Sequence, residues 1–340
     1  MAELIAQQRL QEQLLALAPR LQPGACGITE LRRLSGGASQ ETWSFDLLLD
    51  DGATVPLILR RAPEGSAQRA AGNATLAAQA AILSAVRAAG VPAPAVPWLL
   101  RPEQEMGEGF VMQRIAGETL GRRIVTEPRL AGARRQLARQ CGQSLARIHG
   151  MAKDALPPLR RAAPAEELAH YEAQYRSRGL REPVFELALR WLKAHAPDDG
   201  VVLGLVHGDF RNGNLIVDEQ GLAAVIDWEL AHWGDPMEDL GWLCVNSWRY
   251  GCLELPVGGF GVREDLFAGY AEAGGRVDVE RVHYWEVLGT LKWGVICQSM
   301  AHSYLSGAER NAERAAIGRR ASEAEIDLLR LLAPRAARAA

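Results

Sequence analysis

Asp209, Asn214 and Asp227 carry side chains suited to chemistry, and they fall close together between short apolar runs. They stand in Val206-His207-Gly208-Asp209-Phe210-Arg211-Asn212-Gly213-Asn214-Leu215-Ile216-Val217 and in Val225-Ile226-Asp227-Trp228-Glu229. Phosphoryl transfer to a hydroxyl asks for such a set. It needs a carboxylate to orient the attacking hydroxyl and accept its proton, and oxygen ligands for a Mg²⁺ that bridges the phosphates. Asp209 is then the base, and Asn214 and Asp227 are the metal ligands. A turn made of Asp, Asn and Gly for conformational reasons alone accounts for Gly213 and Asn212. It does not account for Asp209, Asn214 and Asp227 at this spacing. His207-Gly208-Asp209 also looks like a metal-ligand pair of a hydrolase, but no further histidine-rich cluster supports that.

The elements that must position these residues follow from hydrophobic spacing. Leu203 to Val206 and Ala223 to Ile226 read as two small buried strands around the polar loop. Upstream, Glu3 to Ala18 reads as an amphipathic helix ended by Pro19 and Pro23-Gly24. Strands are expected at Ile28 to Leu34, Glu41 to Leu49 and Val55 to Arg60, the last two joined by the turn Asp50-Asp51-Gly52. An alanine-rich helix fills Ala74 to Ala89, and two further strands lie near Val96 to Leu100 and Gly109 to Ile115. Gln136 to His149, Ala165 to Arg176, Pro183 to His195, Arg263 to Glu272, Val279 to Tyr304 and Ser322 to Leu332 carry helical spacing. The expected architecture is α+β and two-lobed. Residues 1–115 form a small lobe with an N-terminal helix, a five-stranded antiparallel sheet and one more helix. Residues 116–340 form a helical lobe holding the catalytic and metal-binding loops.

The order His207-Gly208-Asp209, four residues, Asn214, then twelve residues and Asp227 parallels the H-R-D-x-x-x-x-N and D-F-G order of protein kinases. With Ile226-Asp227-Trp228-Glu229, Gly234-Asp235-Pro236 and Asp239-Leu240, the chain resembles the aminoglycoside phosphotransferase family, a kinase-like fold. It is most similar to the branch of kinase domains related to those fused to acyl-CoA dehydrogenases. Leu34-Ser35-Gly36-Gly37-Ala38-Ser39-Gln40-Glu41-Thr42-Trp43, Leu59-Arg60-Arg61-Ala62-Pro63 and Gly90-Val91-Pro92-Ala93-Pro94 extend the resemblance over roughly Ile28 to Leu332. It implies Mg²⁺-dependent transfer from ATP or GTP to the hydroxyl of a small molecule. The acceptor is left open among aminoglycosides, hydroxyacyl thioesters, amino alcohols and sugars.

Within that frame the turn Ser35, Gly36, Gly37 and Ser39 is expected against the β- and γ-phosphates. Met112-Gln113-Arg114-Ile115 is expected to be the interlobe hinge, with Gln113 and Ile115 at the adenine. The third strand of a kinase-like small lobe usually carries a lysine, paired with a glutamate on the next helix. Here Arg60 stands at the strand position and Gln79 at the helix position. A guanidinium still forks onto phosphate oxygens, with Arg60 or its neighbour Arg61 in that role and Gln79 as a hydrogen-bond partner. The same replacement motivates an alternative, a pseudokinase that senses nucleotide or acts as a scaffold. His207 reads as a scaffold of the loop, Asp235 and Asp239 as its supports or as helix caps. Arg211 reads either as a surface arginine or as a cation that offsets γ-phosphate charge, and Glu229 either assists a second metal or meets a helix end.

Composition narrows the field further. With 38 Lys plus Arg against 41 Asp plus Glu in 340 residues, the near-zero balance excludes a protein that coats nucleic acid or an anionic membrane. Only Lys153, Lys193 and Lys292 are lysines, so no mechanism can draw on an N-terminal lysine. Five scattered cysteines without a C-x-x-C pair point to reduced thiols in the cytoplasm. The first ten residues carry no secretory pattern, and no apolar run is long enough to span a membrane. Six of the nine tryptophans fall between Trp228 and Trp293. They are expected chiefly as core, with some lining an apolar acceptor pocket that suits a hydroxyacyl or lipid-like compound better than a polycationic drug. Monomer and homodimer are both compatible with the sequence.

Overall fold

Alternation of apolar side chains along one strand explains how the small lobe is layered. In β3 (Thr54–Arg61) the residues Leu57 and Leu59 belong to one buried cluster and Ile58 between them to another. Successive strand residues point to opposite faces, so the sheet is covered on both. The computed structural model describes residues 2–34, 40–63, 72–179, 181–198, 200–309 and 311–333. In it, α1 (Ala2–Leu21) contributes Leu10, Leu14 and Leu17 to the cluster that holds Leu57 and Leu59. After β1 (Ala25–Arg33), β2 (Glu41–Leu49) and β3 comes α2 (Leu76–Ala88), whose Ile82, Leu83 and Val86 share the other cluster with Ile58. β4 (Trp98–Leu99) and β5 (Gly109–Gln113) complete an antiparallel sheet of order β1-β2-β3-β5-β4.

α1 runs two residues past Pro19, where the sequence predicted its end. A proline so near the C-terminus removes one intrahelical hydrogen bond, while Leu17, Ala18 and Leu21 around it are buried against the sheet. Packing outweighs the break. Thr75 caps α2 by accepting from the Ala78 N–H at 3.0 Å. β4 is shorter than the sequence predicted, because Pro94 and Pro97 lack the N–H that a ladder needs.

The larger part is helical. It contains α3 (Gly121–Thr126), α4 (Ala131–His149), α5 (Pro164–Arg176) and α6 (Pro183–Ala194). Four short strands follow: β6 (Gly204–Val206), β7 (Leu215–Asp218), β8 (Gly221–Val225) and β9 (His232–Gly234). Then come α7 (Met237–Cys244), α8 (Arg263–Glu272), α9 (Val279–Leu305), α10 (Ala312–Gly318) and α11 (Ala321–Leu332). The cluster under α2 continues without a break into Leu145, Leu205, Leu240 and Leu288 of this part, so the two lobes share one core. The expected α+β two-lobed fold is the one observed.

The two small strands predicted beside the polar loop exist, but they do not pair with each other. β6 pairs with β9, and β8 pairs with β7 in an antiparallel hairpin. β7 and β9 are too short to show a period of their own. No described helix is long and apolar enough to cross a membrane.

Candidate active site

The hairpin explains how Asn214 and Asp227 come to neighbouring positions. Leu215 pairs with Val225, and the Ile226 N–H donates to the Asn214 carbonyl at 2.9 Å. Asn214 and the residue just before Asp227 are thus bonded across the open end of the hairpin. Asp209 arrives from the other pair: β6 ends at Val206, opposite His232 of β9, and Gly208 turns the chain with φ of 80°. A Cβ at Gly208 would lie 2.7 Å from the Leu230 carbonyl oxygen, so the turn before Asp209 needs glycine. Asp227 itself holds φ of 69°, a left-handed conformation that side chains adopt at a cost and that concentrates at functional sites.

Asp209 is held from three sides. The indole Nε1 of Trp242 donates to its Oδ1 at 2.9 Å, and Arg211 Nε reaches the same oxygen at 2.9 Å. Asn214 Nδ2 donates to Oδ2 at 2.6 Å and to the Asp209 carbonyl at 2.9 Å. A carboxylate offers about four acceptor positions. Three are filled by described residues.

His207 ties the two carboxylate loops together. Its Nδ1 accepts from the Asp209 N–H at 3.2 Å and its Nε2 faces the Ile226 carbonyl at 3.0 Å. That pattern assigns the Nε2–H tautomer, a scaffold as the sequence reading had it. Asp239 supports the same loop from α7, accepting from the His207 N–H at 2.8 Å and from the Gly208 N–H at 2.9 Å. Burial alone would raise the Asp239 carboxyl, but the hydrogen bond and charge of His149, followed by His207, hold it below the ordinary range. Asp235 accepts from the Met237 N–H at the start of α7, from Arg281 and from Trp285. It anchors the helix rather than the loop.

From the small lobe, Arg60 places Nη2 2.8 Å from Asp227 Oδ1, with only 12% of its side chain exposed. Arg61 points to the opposite face and pairs with Glu41 at 2.9 Å, so Arg60 is the arginine that reaches the site. The expected link from Gln79 to Arg60 is absent among the described residues. The Gln79 amide donates instead to the Ala74 carbonyl at 3.0 Å, at the start of its own helix. Ala74 N–H in turn donates to the Glu229 carbonyl at 2.8 Å, and Gln40 reaches the Glu229 carboxylate at 3.5 Å. Glu229 therefore contacts the small lobe beside Asp227.

Gln113 and Ile115 lie at and beyond the end of β5. Gln113 pairs with Leu57, three residues along β3 from Arg60, about 10 Å away at strand spacing. The Gln113 N–H is spent on the Ala95 carbonyl at 2.8 Å; its side chain is exposed, and Ile115 is half-buried. Ser35, Gly36, Gly37 and Ser39 lie outside the described residues. No group of three or more His, Cys, Asp or Glu able to hold a metal occurs among the described residues. The pair Asn214 and Asp227 offers hard oxygen donors, which fit Mg²⁺ better than a softer ion.

These features together define a family. The profile of the phosphotransferase enzyme family, the aminoglycoside phosphotransferase group, matches residues 30–282. The chain belongs to that family. Its curated relatives include acyl-CoA dehydrogenase family member 10 of Mus musculus, 29% identical over 238 residues, which cover 64% of this chain and 20% of that protein. Acyl-CoA dehydrogenase family member 11 of Gallus gallus is 26% identical over 243 residues, covering 68% and 30%. This phosphotransferase-family chain thus spans a fifth to a third of the length of these relatives, which lie in the branch the sequence motifs pointed to. Among solved structures, a putative aminoglycoside phosphotransferase from Ralstonia eutropha superposes with a TM-score of 0.73 at 19% identity, covering 94% of this chain and 97% of that one. The aminoglycoside phosphotransferase APH(4)-Ia, in a ternary complex with AMP-PNP and hygromycin B, gives 0.59 at 19% identity, covering 91% and 96%. At such identities the likeness is one of fold.

Sequence reasoning missed that Trp242 bonds to Asp209 and that Lys292 meets its loop. Asp239 and Trp242 are three residues apart on α7, so both face the loop; that spacing was the available signal. Lys292 gave none, because it meets the loop only through the packing of α9.

Proposed function

We propose that this chain transfers the γ-phosphoryl group of ATP, or GTP, to a hydroxyl of a small molecule in the cytoplasm. Asp209 accepts the hydroxyl proton, and Arg60 and the turn Ser35, Gly36, Gly37 and Ser39 bind phosphate oxygens. The hinge at Gln113 and Ile115 takes the base. The observation that carries this reading is the Asp209 carboxylate, which three described side-chain donors orient. Asn214, through its amide oxygen, and Asp227 would hold Mg²⁺. When bound, the ion neutralises charge on the bridging phosphate oxygens. Arg60, now paired with Asp227, would be available to phosphate oxygens once that carboxylate served as a metal ligand. Arg211 stands beside Asp209, where a cation offsets charge on the phosphoryl group in transfer.

A buried tryptophan cluster adjoins Asp209 through Trp242. Trp242 and Trp248 meet edge to face at 5.1 Å, and Trp248 and Trp293 at 4.9 Å. Arg211, Lys292 and Arg320 lie over the rings of Trp248, Trp242 and Trp293 at 4.6, 4.5 and 5.4 Å. The cations Arg211 and Lys292 beside the Asp209 loop favour an uncharged or anionic hydroxyl compound over a polycation. A second reading, a nucleotide sensor without turnover, is favoured by one feature, the Arg60–Asp227 ion pair that engages a metal ligand.

Thermal unfolding with ATP or GTP, with and without Mg²⁺, separates the cases. At about a hundred times its dissociation constant a nucleotide stabilises the native state by about 2.7 kcal/mol. A Mg²⁺-dependent rise in Tm, lost in Asp227→Ala, is the expected result. Release of ADP that disappears in Asp209→Asn then distinguishes the enzyme from the sensor. No rise with either nucleotide would overturn both readings.

A further inference from the structure

Lys292 is one of only three lysines among 38 basic residues. It lies in the middle of α9, and the residue is 7% exposed. A buried ammonium is costly unless its donors are used, and two carboxylates whose charge acts on it already have partners. Glu167 is paired with Arg160, and Glu238 with His232 at 3.2 Å. One hydrogen bond of Lys292 runs to the Gly208 carbonyl at 3.2 Å, in the residue before Asp209, and the Tyr171 hydroxyl is a further partner. Its Nζ also stands 4.5 Å from the centre of the Trp242 ring and 5.5 Å from that of Tyr171. Trp242 is the residue whose indole N–H holds Asp209 Oδ1.

We propose that Lys292 is a positioning residue: from α9 it fixes the orientation of Asp209, through the Gly208 carbonyl on the backbone side and through the Trp242 ring on the side-chain side. The proposal rests on the reading of Asp209 as the base. Two anchors at different atoms leave the loop little freedom to rotate. The Gly208 carbonyl sets the peptide plane that leads into Asp209, and the cation over the indole face locks the ring whose edge donates to the carboxylate. Compact shape matters here. An ammonium directs three donors from one compact point, whereas the larger planar guanidinium carries its donors farther from the α9 backbone and does not reproduce that geometry at the same buried position. Burial lowers the tendency of Lys292 to stay charged, but Tyr171, Glu238, Glu167 and Asp209 around it more than offset this and hold it protonated above the ordinary lysine range.

Two measurements test the proposal. In Lys292→Arg and Lys292→Met, ADP release from Mg·ATP with water as acceptor is compared with the affinity for Mg·AMP-PNP by calorimetry. The expected result is a loss of turnover of about tenfold or more with an affinity within about twofold of the parent. Unchanged turnover, or turnover and affinity falling together, overturns it. Because either variant can fail to fold, a second measurement uses the native lysine. Labelling with ¹⁵N-lysine gives three Nζ signals, assigned with Lys153→Arg and Lys193→Arg. Replacing Asp209 with Asn is expected to move the Lys292 signal alone, and a signal that stays in place overturns the coupling. If the parent protein releases ADP no faster than Asp209→Asn, the base assignment fails by itself, and the Nζ comparison still decides whether Lys292 and Asp209 are linked.

Discussion

The two sides of the candidate site are built very differently. On the helical side, Asp209 receives three side-chain donors, and the loop beneath it is gripped by His207, Asp239 and Lys292. On the sheet side, a single described ion pair, Arg60 to Asp227, reaches across. The side that would position the proposed proton acceptor is over-determined, and the side proposed to meet a nucleotide has one described ion pair to exchange. Reactions that gain most from positioning need rigidity at the reacting atoms, whereas a nucleotide must enter and leave. The difference in construction follows that division.

The largest break in this asymmetry is expected from Asp209→Asn. Losing the proton acceptor should lower turnover by about 10²–10⁴-fold while Mg·AMP-PNP still binds, read from ADP release beside calorimetry. Asp227→Ala acts on the opposite property. The affinity for Mg·AMP-PNP should fall by about a hundredfold, and the thermal shift with Mg·ATP should vanish while that with ATP alone is unaffected.

Asp239→Asn tests the support rather than the site. Removing one partner of a buried charged group costs about 3–5 kcal/mol, to be read from urea unfolding at pH 7. The folded Asp239 titrates below its ordinary value of 3.8. Its contribution is therefore present above that value and is lost as the pH falls through the folded one. The gap between parent and variant should narrow in acid; a gap constant with pH would mean that the carboxylate charge contributes nothing. The smallest effect belongs to the exchangeable partner. Arg60→Ala should weaken nucleotide binding by about tenfold, or about 1.4 kcal/mol, and Arg60→Lys by less. A loss in Arg60→Ala as large as that in Asp227→Ala would erase the contrast between the two sides.

Much of this was legible because the information is local. The spacing from Asp209 through Asn214 to Asp227 lies within one loop and one hairpin, and alternation along β3 marks both faces of the sheet. Helices and strands of the small lobe emerged in order, with errors at Pro19 and at β4. The Gln79 partnership was misjudged because its position on α2 matches that of a partner, while its amide is spent on its own helix start at Ala74. Arg60 and Arg61 could not be separated by sequence, since both are arginines; the pleat alone sends one to Asp227 and the other to Glu41.

By itself, then, the chain determined the two-lobed fold and the family, and it put forward the three residues of the proposed chemistry, because side-chain type and short-range spacing are properties of the sequence. The tertiary structure decided what those residues touch. Arg60 and Asp227 are separated by 167 positions and Lys292 and Gly208 by 84. No periodicity spans such distances. Only the packing of α9 and the sheet against the catalytic loop, driven by one shared apolar core, brings these charges into contact.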